Sequence, residues 1–409
     1  MKNIAVLFPG QGSQYRGMRE QLCTDFPVAR RVFEEASDAL HFDMQELCFA
    51  TNLEQLTLTE NAQPAILTAS YAAYLVYREI FELQPTYLAG HSLGEYTALV
   101  ASEALEFASA VRLVRRRGEL MRDAGKGTMA AVNGCPATSV EAVCEKTRKE
   151  GANVVVANYN CSDQTVISGD HQGVDTVSRE LEALNAKVIP LKVSAPFHSP
   201  LMVSAAEGMK AELESVVFGD FSVPVISNVF AKPYVDKKDI APTLVQQITS
   251  SVRWSETIDF LAEAETDGII DVGPKSVLKN LARKQSDFLW TASLDKKKDL
   301  EKTKNYLGSA RENLIKRLLG IAVSYRNSAT EYPKEVFEQY ESVRRRLREI
   351  VEDGDFPRKS DLADAFVMFE ELLSTKGVDK DVIEQERESL FATFTLRDLN
   401  LQDWTEVSS

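Results

Sequence analysis

The sequence predicts an α/β protein with two additions, a small β-α-β-β-α-β domain inserted into the main chain path and an α-helical C-terminal appendage. Three observations carry this. Short apolar runs alternate with segments of helical periodicity over the first part of the chain, the pattern of a mostly parallel sheet with helices on its faces. Between 127 and 193 the rhythm changes to strand, helix, two strands, helix, strand. From about 298 onward strand signals vanish and the sequence becomes helical and charged. The expected domains are therefore 1–126 with 194–297, then 127–193, then 298–409. At 409 residues the chain exceeds one typical core.

In chain order, the apolar run 4–8 stops at Pro9-Gly10-Gln11-Gly12-Ser13 and reads as a buried strand emptying into a Gly-rich turn. It is too short for a signal peptide and lacks a small-residue cleavage site. Helices are expected over 26–40 and 63–81, a short strand over 87–89, and helices after Ser92 and over 108–121. The inserted unit is read as strands 128–132, 153–159, 164–168 and 187–193 with helices 139–150 and 174–184, a ferredoxin-like order. Segments 223–227 and 268–272 rejoin the main sheet. The tail carries helical blocks at 300–325, 333–351, 360–373 and 379–394. Leu362, Phe366, Phe369 and Leu373 fall at helical spacing there, enough for a small bundle or for docking on a partner such as a synthase. The tail holds no histidine, which argues against a second catalytic centre.

Composition narrows the function. No apolar stretch approaches the roughly 18 residues of a membrane span. A net charge of −14 argues against non-specific binding to nucleic acid or anionic membrane. Cys23, Cys48, Cys135, Cys144 and Cys161 are odd in number and form no C-x-x-C, which fits reduced thiols in a cytoplasmic enzyme better than disulfides or a zinc site. No metal is expected.

The stretch GHSLGEYTALV, 90–100, places Ser92 in G-x-S-x-G between a short strand and a helix. Glycines on either side let the serine occupy a sharp turn, where the helix N-terminus favours developing negative charge. A nucleophilic serine needs a base, and the histidines are His41, His91, His171 and His198. His91 adjoins the serine and at that spacing points away from it. His41 and His171 read as surface residues. His198, between two prolines where the inserted unit returns to the main domain, is favoured as base by elimination.

These residues fall within a larger constellation. FPGQGSQ at 8–14, GHSLGE at 90–95, RLVRRRGELM at 112–121, PFHS at 196–199, QITSSVRW at 247–254 and DVGP at 271–274 occur in one order over about residues 1–295. With them the chain resembles the malonyl-CoA:acyl carrier protein transacylases of fatty acid and polyketide synthesis. The resemblance implies an α/β-hydrolase-like large domain with a ferredoxin-like insert. It also implies a ping-pong reaction in which Ser92 takes malonyl from malonyl-CoA, His198 moves the proton, and the phosphopantetheine thiol of an acyl carrier protein is the acceptor. No bound cofactor is implied.

Position by position, it makes the backbone N–H groups of Gln11 and Leu93 the oxyanion hole and the carbonyl of Gln247 the group that orients the histidine. Arg117 becomes the fork for the free malonyl carboxylate, with Arg112, Arg115 and Arg116 left on a solvated face. Phe197 narrows the pocket against an α-methyl group and, with Leu93, points to malonyl over methylmalonyl. Many housekeeping members carry serine at the Phe197 position, so a stand-alone enzyme serving a polyketide synthase is expected. Asn160 is implied as a substrate contact. Lys275, Lys279, Arg283 and Lys284 recur at about helical spacing and could meet an acidic carrier protein; an ordinary solvated face is the alternative.

Two other readings compete. A hydrolase that clears acyl groups from carrier proteins would use the same serine and base but should lack a charge such as Arg117. A non-catalytic docking protein, suggested by the tail, has no need of Ser92, His198 and Arg117 together.

Overall fold

The computed structural model describes residues 3–193, 195–295, 300–304 and 359–394, with a few single positions between 317 and 345. The chain forms two compact units: Asn3–Tyr77 with Pro85–Lys297, and Met1–Lys2 with Arg78–Gln84 and Lys298–Ser409. The first holds both sheets.

Its main sheet is all parallel. β1 (Ile4–Phe8) lies between β2 (Tyr87–Gly90) and β9 (Gly268–Asp271), with β7 (Val225–Ile226) beyond β2 and β10 (Trp290–Ser293) beyond β9. IAVLF in β1 is buried at every position, as a strand covered on both faces must be, so its sequence is continuous rather than alternating. Loops leave the adjacent carboxyl ends of β1 and β2 side by side, the usual place for a site in such a sheet.

The second sheet is β6 (Lys187–Pro190), β3 (Thr128–Asn133), β5 (Gln164–Gly169), β4 (Val154–Cys161) and β8 (Val252–Arg253), in that order. Helices Ala137–Lys149 and His171–Ala183 bury Val140, Cys144, Val174, Val177 and Leu181 against Val132, Val156 and Ile167. β8 pairs in parallel with β4 and comes from outside 127–193, so the inserted unit borrows its fifth strand. Two residues are too few to show a period, and this strand has no signature in the sequence.

β6 is shorter than the expected 187–193. Leu191 N–H still bonds the Met129 carbonyl, and then Val193 N–H turns back to the Leu191 carbonyl at 2.9 Å, taking the chain out of the sheet beyond Pro190. β4 carries register shifts after Val156 and Tyr159. The cysteines are all free and buried. No helix among the described residues is long and apolar enough to cross a membrane.

In the second unit, helices Lys359–Thr375 and Lys380–Phe394 are joined by a tight turn and an Arg387–Glu370 ion pair at 3.2 Å. They coincide with the blocks expected at 360–373 and 379–394. Phe366, Phe369 and Leu373 are buried, so these residues are spent on packing and offer no support for the docking role expected of them. The side chain of Leu362 and most of the blocks at 300–325 and 333–351 lie outside the described residues.

Candidate active site

Ser92 sits between the end of β2 and the helix Gly94–Ala101 at φ 52°, a left-handed conformation that costs an L residue on the order of 1–3 kcal/mol. The flanking glycines make the turn possible. A Cβ on Gly94 would lie 1.9 Å from the Phe8 carbonyl oxygen, and one on Gly90 would lie 1.9 Å from the Gly94 carbonyl carbon. The close approach of Gly94 to Phe8 also brings the Gly-rich loop after β1 beside the serine. Two side chains hold the strained peptide. Ser92 N–H donates to Asn228 Oδ1 at 2.6 Å, and the Ser92 carbonyl accepts from Gln247 Nε2 at 3.0 Å.

His198 lies on the loop that follows β6, also at positive φ. Its Nε2 is 2.7 Å from Ser92 Oγ, and its Nδ1 is 2.9 Å from the Gln247 carbonyl oxygen. A carbonyl only accepts, so Nδ1 carries the proton and Nε2 is left to accept from the serine hydroxyl, the tautomer a general base requires. The carbonyl is available because Gln247 lies in the last turn of the helix Ile240–Thr249, where C=O groups lack intrahelical partners. Burial, and then the Arg117 charge, push the imidazole down to about 3, which keeps it neutral.

Arg117 projects from the helix Phe107–Asp123 and is 2% exposed. Nη1 donates to Gln63 Oε1 at 2.7 Å; Nη2 donates to Gln247 Oε1 at 3.1 Å and to Ser92 Oγ at 3.3 Å. Its Nε has no partner, and no carboxylate lies within ion-pair distance among the described residues. The guanidinium also stands 5.6 Å from the centre of the Tyr96 ring. A buried cation faced only by neutral acceptors is a strong attractor for an anion. The neighbouring arginines differ: Arg115 pairs with Glu119, Arg116 with Glu119 and Glu212, and Arg112 with Glu106 at the surface.

A cleft of about 490 Å³ opens over Ser92 and His198, walled by the loop after β1, by Asn158 and Asn160 of β4, by Leu191, Val193 and Phe197, and by Lys275 and Val277. Gln11 lines it, and its side chain donates to Thr59 Oγ1. Among the described residues the backbone N–H groups of Gln11 and Leu93 have no acceptor. The Leu93 side chain is buried and does not line the cleft. Asn160 Oδ1 accepts from His91 Nε2 at 2.9 Å, and Asn160 Nδ2 donates to Gln164 Oε1 at 3.1 Å. His91 therefore faces the second sheet, while His41 and His171 are exposed. Of the basic stripe, Lys275 donates to the Gly12 carbonyl and Lys284 pairs with Asp163 at 3.2 Å.

Four further residues belong to the site: Gln63, Glu95, Asn228 and Tyr234. Gln63 and Asn228 come from distant segments with no motif around them. Glu95 lies inside GHSLGE and is a carboxylate in an otherwise apolar helix; that misplaced charge was the available signal. Glu95 is fully buried, its oxygens filled by Tyr234 OH, by Gln247 Nε2 at 2.7 Å and by Asn228 N–H at 3.1 Å. Burial pushes its carboxyl up to about 7 against the pull of these donors and of Arg117.

Residues 6–311 match the acyl transferase domain family. A malonyl CoA-acyl carrier protein transacylase of Bacillus subtilis is 40% identical over 344 residues, spanning 81% of this chain and 86% of that relative, so the likeness runs past residue 297. The crystal structure of FabD from Acinetobacter baumannii superposes with a TM-score of 0.72 at 38% identity, over 75% of this chain and 98% of that one. A malonyl-transacylase solved in complex with a type II PKS acyl-carrier protein gives 0.70 at 37% identity, over 73% and 97%.

Proposed function

The chain belongs to the malonyl CoA-acyl carrier protein transacylase family, and from that premise we propose that Ser92 and His198 carry its reaction as a two-stage exchange. The enzyme is an acyltransferase that moves malonyl from malonyl-CoA to an acyl carrier protein. In the first stage Ser92 Oγ attacks the thioester carbonyl while its proton passes to His198 Nε2. The oxyanion is met by the N–H groups of Gln11 and Leu93, each such donor being worth about 10²–10³ in rate. Collapse breaks the C–S bond, and the CoA sulfur leaves with the proton from His198. In the second stage the phosphopantetheine thiol gives its proton to His198 and attacks the Ser92 ester, and the serine oxygen recovers the proton.

Arg117 receives the free malonyl carboxylate, exchanging neutral acceptors for an anion. With that pair formed, little room is left for an ordered attacking water, and the ester waits for a thiol. Asn160 contacts the bound substrate, and Phe197 restricts the cleft at the α-carbon. On Phe197 we assign the acceptor to a polyketide carrier protein. We read 1–126 with 194–297 as an α/β-hydrolase-like large domain, 127–193 as a ferredoxin-like insert, and 298–409 as a helical appendage. The all-parallel sheet with its serine turn after β2 supports the first and the order of β3 to β6 the second.

The observation that carries the mechanism is the position of one atom: Ser92 Oγ lies 2.7 Å from a neutral imidazole nitrogen and 3.3 Å from a buried guanidinium. The test incubates the protein with malonyl-, methylmalonyl- and acetyl-CoA and a carrier protein, reading intact masses of both. Malonyl should appear on Ser92 and then on the carrier, and Ser92→Ala should abolish both. Free malonate with no loaded carrier would instead make the protein a hydrolase.

A further inference from the structure

Gln247 joins the three parts of the site, and its amide has two ends. Nε2 faces Glu95 Oε2 at 2.7 Å and the Ser92 carbonyl at 3.0 Å, while Oε1 faces Arg117 Nη2 at 3.1 Å. Its backbone carbonyl holds His198 Nδ1. If the amide turned over, Oε1 would oppose two oxygens and its NH2 would oppose a guanidinium. An ionised carboxylate only accepts, so it adds its own penalty on the turned-over state to those of the Ser92 carbonyl and Arg117; a neutral amide in its place, able to donate as well, removes that penalty.

We propose that Glu95 is a positioning residue for the transfer: by accepting from Gln247 Nε2 and from Asn228 N–H, it fixes Gln247 Oε1 toward Arg117 and keeps the two side chains that pin Ser92 in register. Both carboxylate oxygens are filled by protein donors, and Glu95 does not line the cleft, so it acts through Gln247 and Asn228 rather than on substrate. Burying a carboxylate is expensive, as its upward shift to about 7 shows, and an apolar side chain would pack at lower cost. What the acid adds is direction.

The inference rests on the roles given above to Ser92, His198 and Arg117, and its test separates the two. Glu95→Gln, Gln247→Ala and the double variant are compared by kcat and KM for malonyl transfer, by thermal melting, and by the rate at which a fluorophosphonate probe labels Ser92. Gln247→Ala keeps the backbone carbonyl that serves His198. Glu95→Gln should melt no lower than the wild type at neutral pH yet lose about 10- to 100-fold in kcat/KM for malonyl-CoA, the range for hydrogen bonds to charged groups. The double variant should be no slower than Gln247→Ala alone, because the effect passes through Gln247. Wild-type kcat/KM in Glu95→Gln, or losses that multiply, would overturn it. Should Glu95→Gln not fold, Glu95→Asp, which keeps the charge and withdraws the oxygen from Gln247, should show the same loss. A wild type that loads no malonyl, but whose probe labelling is slowed by Glu95→Gln, would sink the proposed reaction and leave this inference standing.

Discussion

Asn228 clamps Ser92 on both sides of the turn: its Oδ1 takes the Ser92 N–H at 2.6 Å, and its Nδ2 donates to the Gly90 carbonyl at 2.6 Å. The strain of the left-handed serine is thus held by a residue 136 positions away in sequence. Asn228→Ala removes both bonds and leaves two peptide groups to find other partners. It should lower stability by about 1–3 kcal/mol and kcat by about 100-fold, since a serine relaxed toward ordinary φ loses its line to His198. Thermal melting and a carrier-loading assay check this; a variant with wild-type kcat would mean that the glycines alone hold the turn.

The proposed pairing with the malonyl carboxylate makes Arg117 the group that selects the acyl chain. Arg117→Ala should cut kcat/KM for malonyl-CoA by about 10²-fold or more while sparing acetyl-CoA, and should raise the fraction of acyl-enzyme lost to water. Arg117→Lys restores the charge without the two-donor fork and should recover little of the loss. Competition between malonyl- and acetyl-CoA reads the outcome directly. Unchanged malonyl selectivity in Arg117→Ala would remove the guanidinium from the substrate's account.

Two buried groups make opposite contributions to stability as pH changes. Glu95, raised to about 7 from 4.5, binds more proton folded than unfolded between those values, so its contribution is full below about 4.5 and is lost as pH rises through 7. His198, lowered to about 3 from 6.5, does the reverse: its contribution is full above 6.5 and is lost as pH falls toward 3. Asp271, raised to about 7 by burial, moves with Glu95. Comparing Glu95→Gln with the wild type isolates the first: the variant should gain on the wild type between pH 5 and 8 by up to about 3 kcal/mol in chemical denaturation. In activity, the acid limb of kcat/KM that belongs to His198 should lie well below 6.5. A limb at 6.5 that persists in Glu95→Gln would contradict a desolvated imidazole.

The parts of this site that could be read from sequence are those fixed locally. The run 4–8, the G-x-S-x-G turn and the order from 128 to 190 each declare themselves through spacing, because one strand or one turn must satisfy its own backbone. Ser92, His198 and Arg117 follow from chemistry plus family resemblance. What was illegible is held at a distance: Gln63, Asn228 and Tyr234 are ordinary polar residues until folding brings them against Ser92, Arg117 and Glu95. β8 escaped for a related reason, since two residues gain strand geometry only by lying along β4. Glu95 stands between these cases, visible as a charge out of place but without a partner to give it meaning.

Phe197 offers the last discrimination, between malonyl and its α-methyl homologue. The residue is 7% exposed, precedes His198, and lines the cleft beside the loop from Leu191 to Val193. With the α-carbon against this wall, as proposed, a proton there is unopposed but a methyl group meets the ring. Phe197→Ser opens the wall without touching the His198 bond to Gln247. The ratio of kcat/KM for methylmalonyl-CoA to that for malonyl-CoA should rise by about 10- to 100-fold, the range within which a pocket discriminates one methyl group. Malonyl turnover itself should fall less than tenfold, because Arg117 still receives the carboxylate. Acyl-enzyme masses from an equimolar mixture of the two thioesters measure the ratio; if it stays at the wild-type value, the α-carbon is read elsewhere in the cleft, and the side chains of Met129 and Val166 that also line it become the candidates.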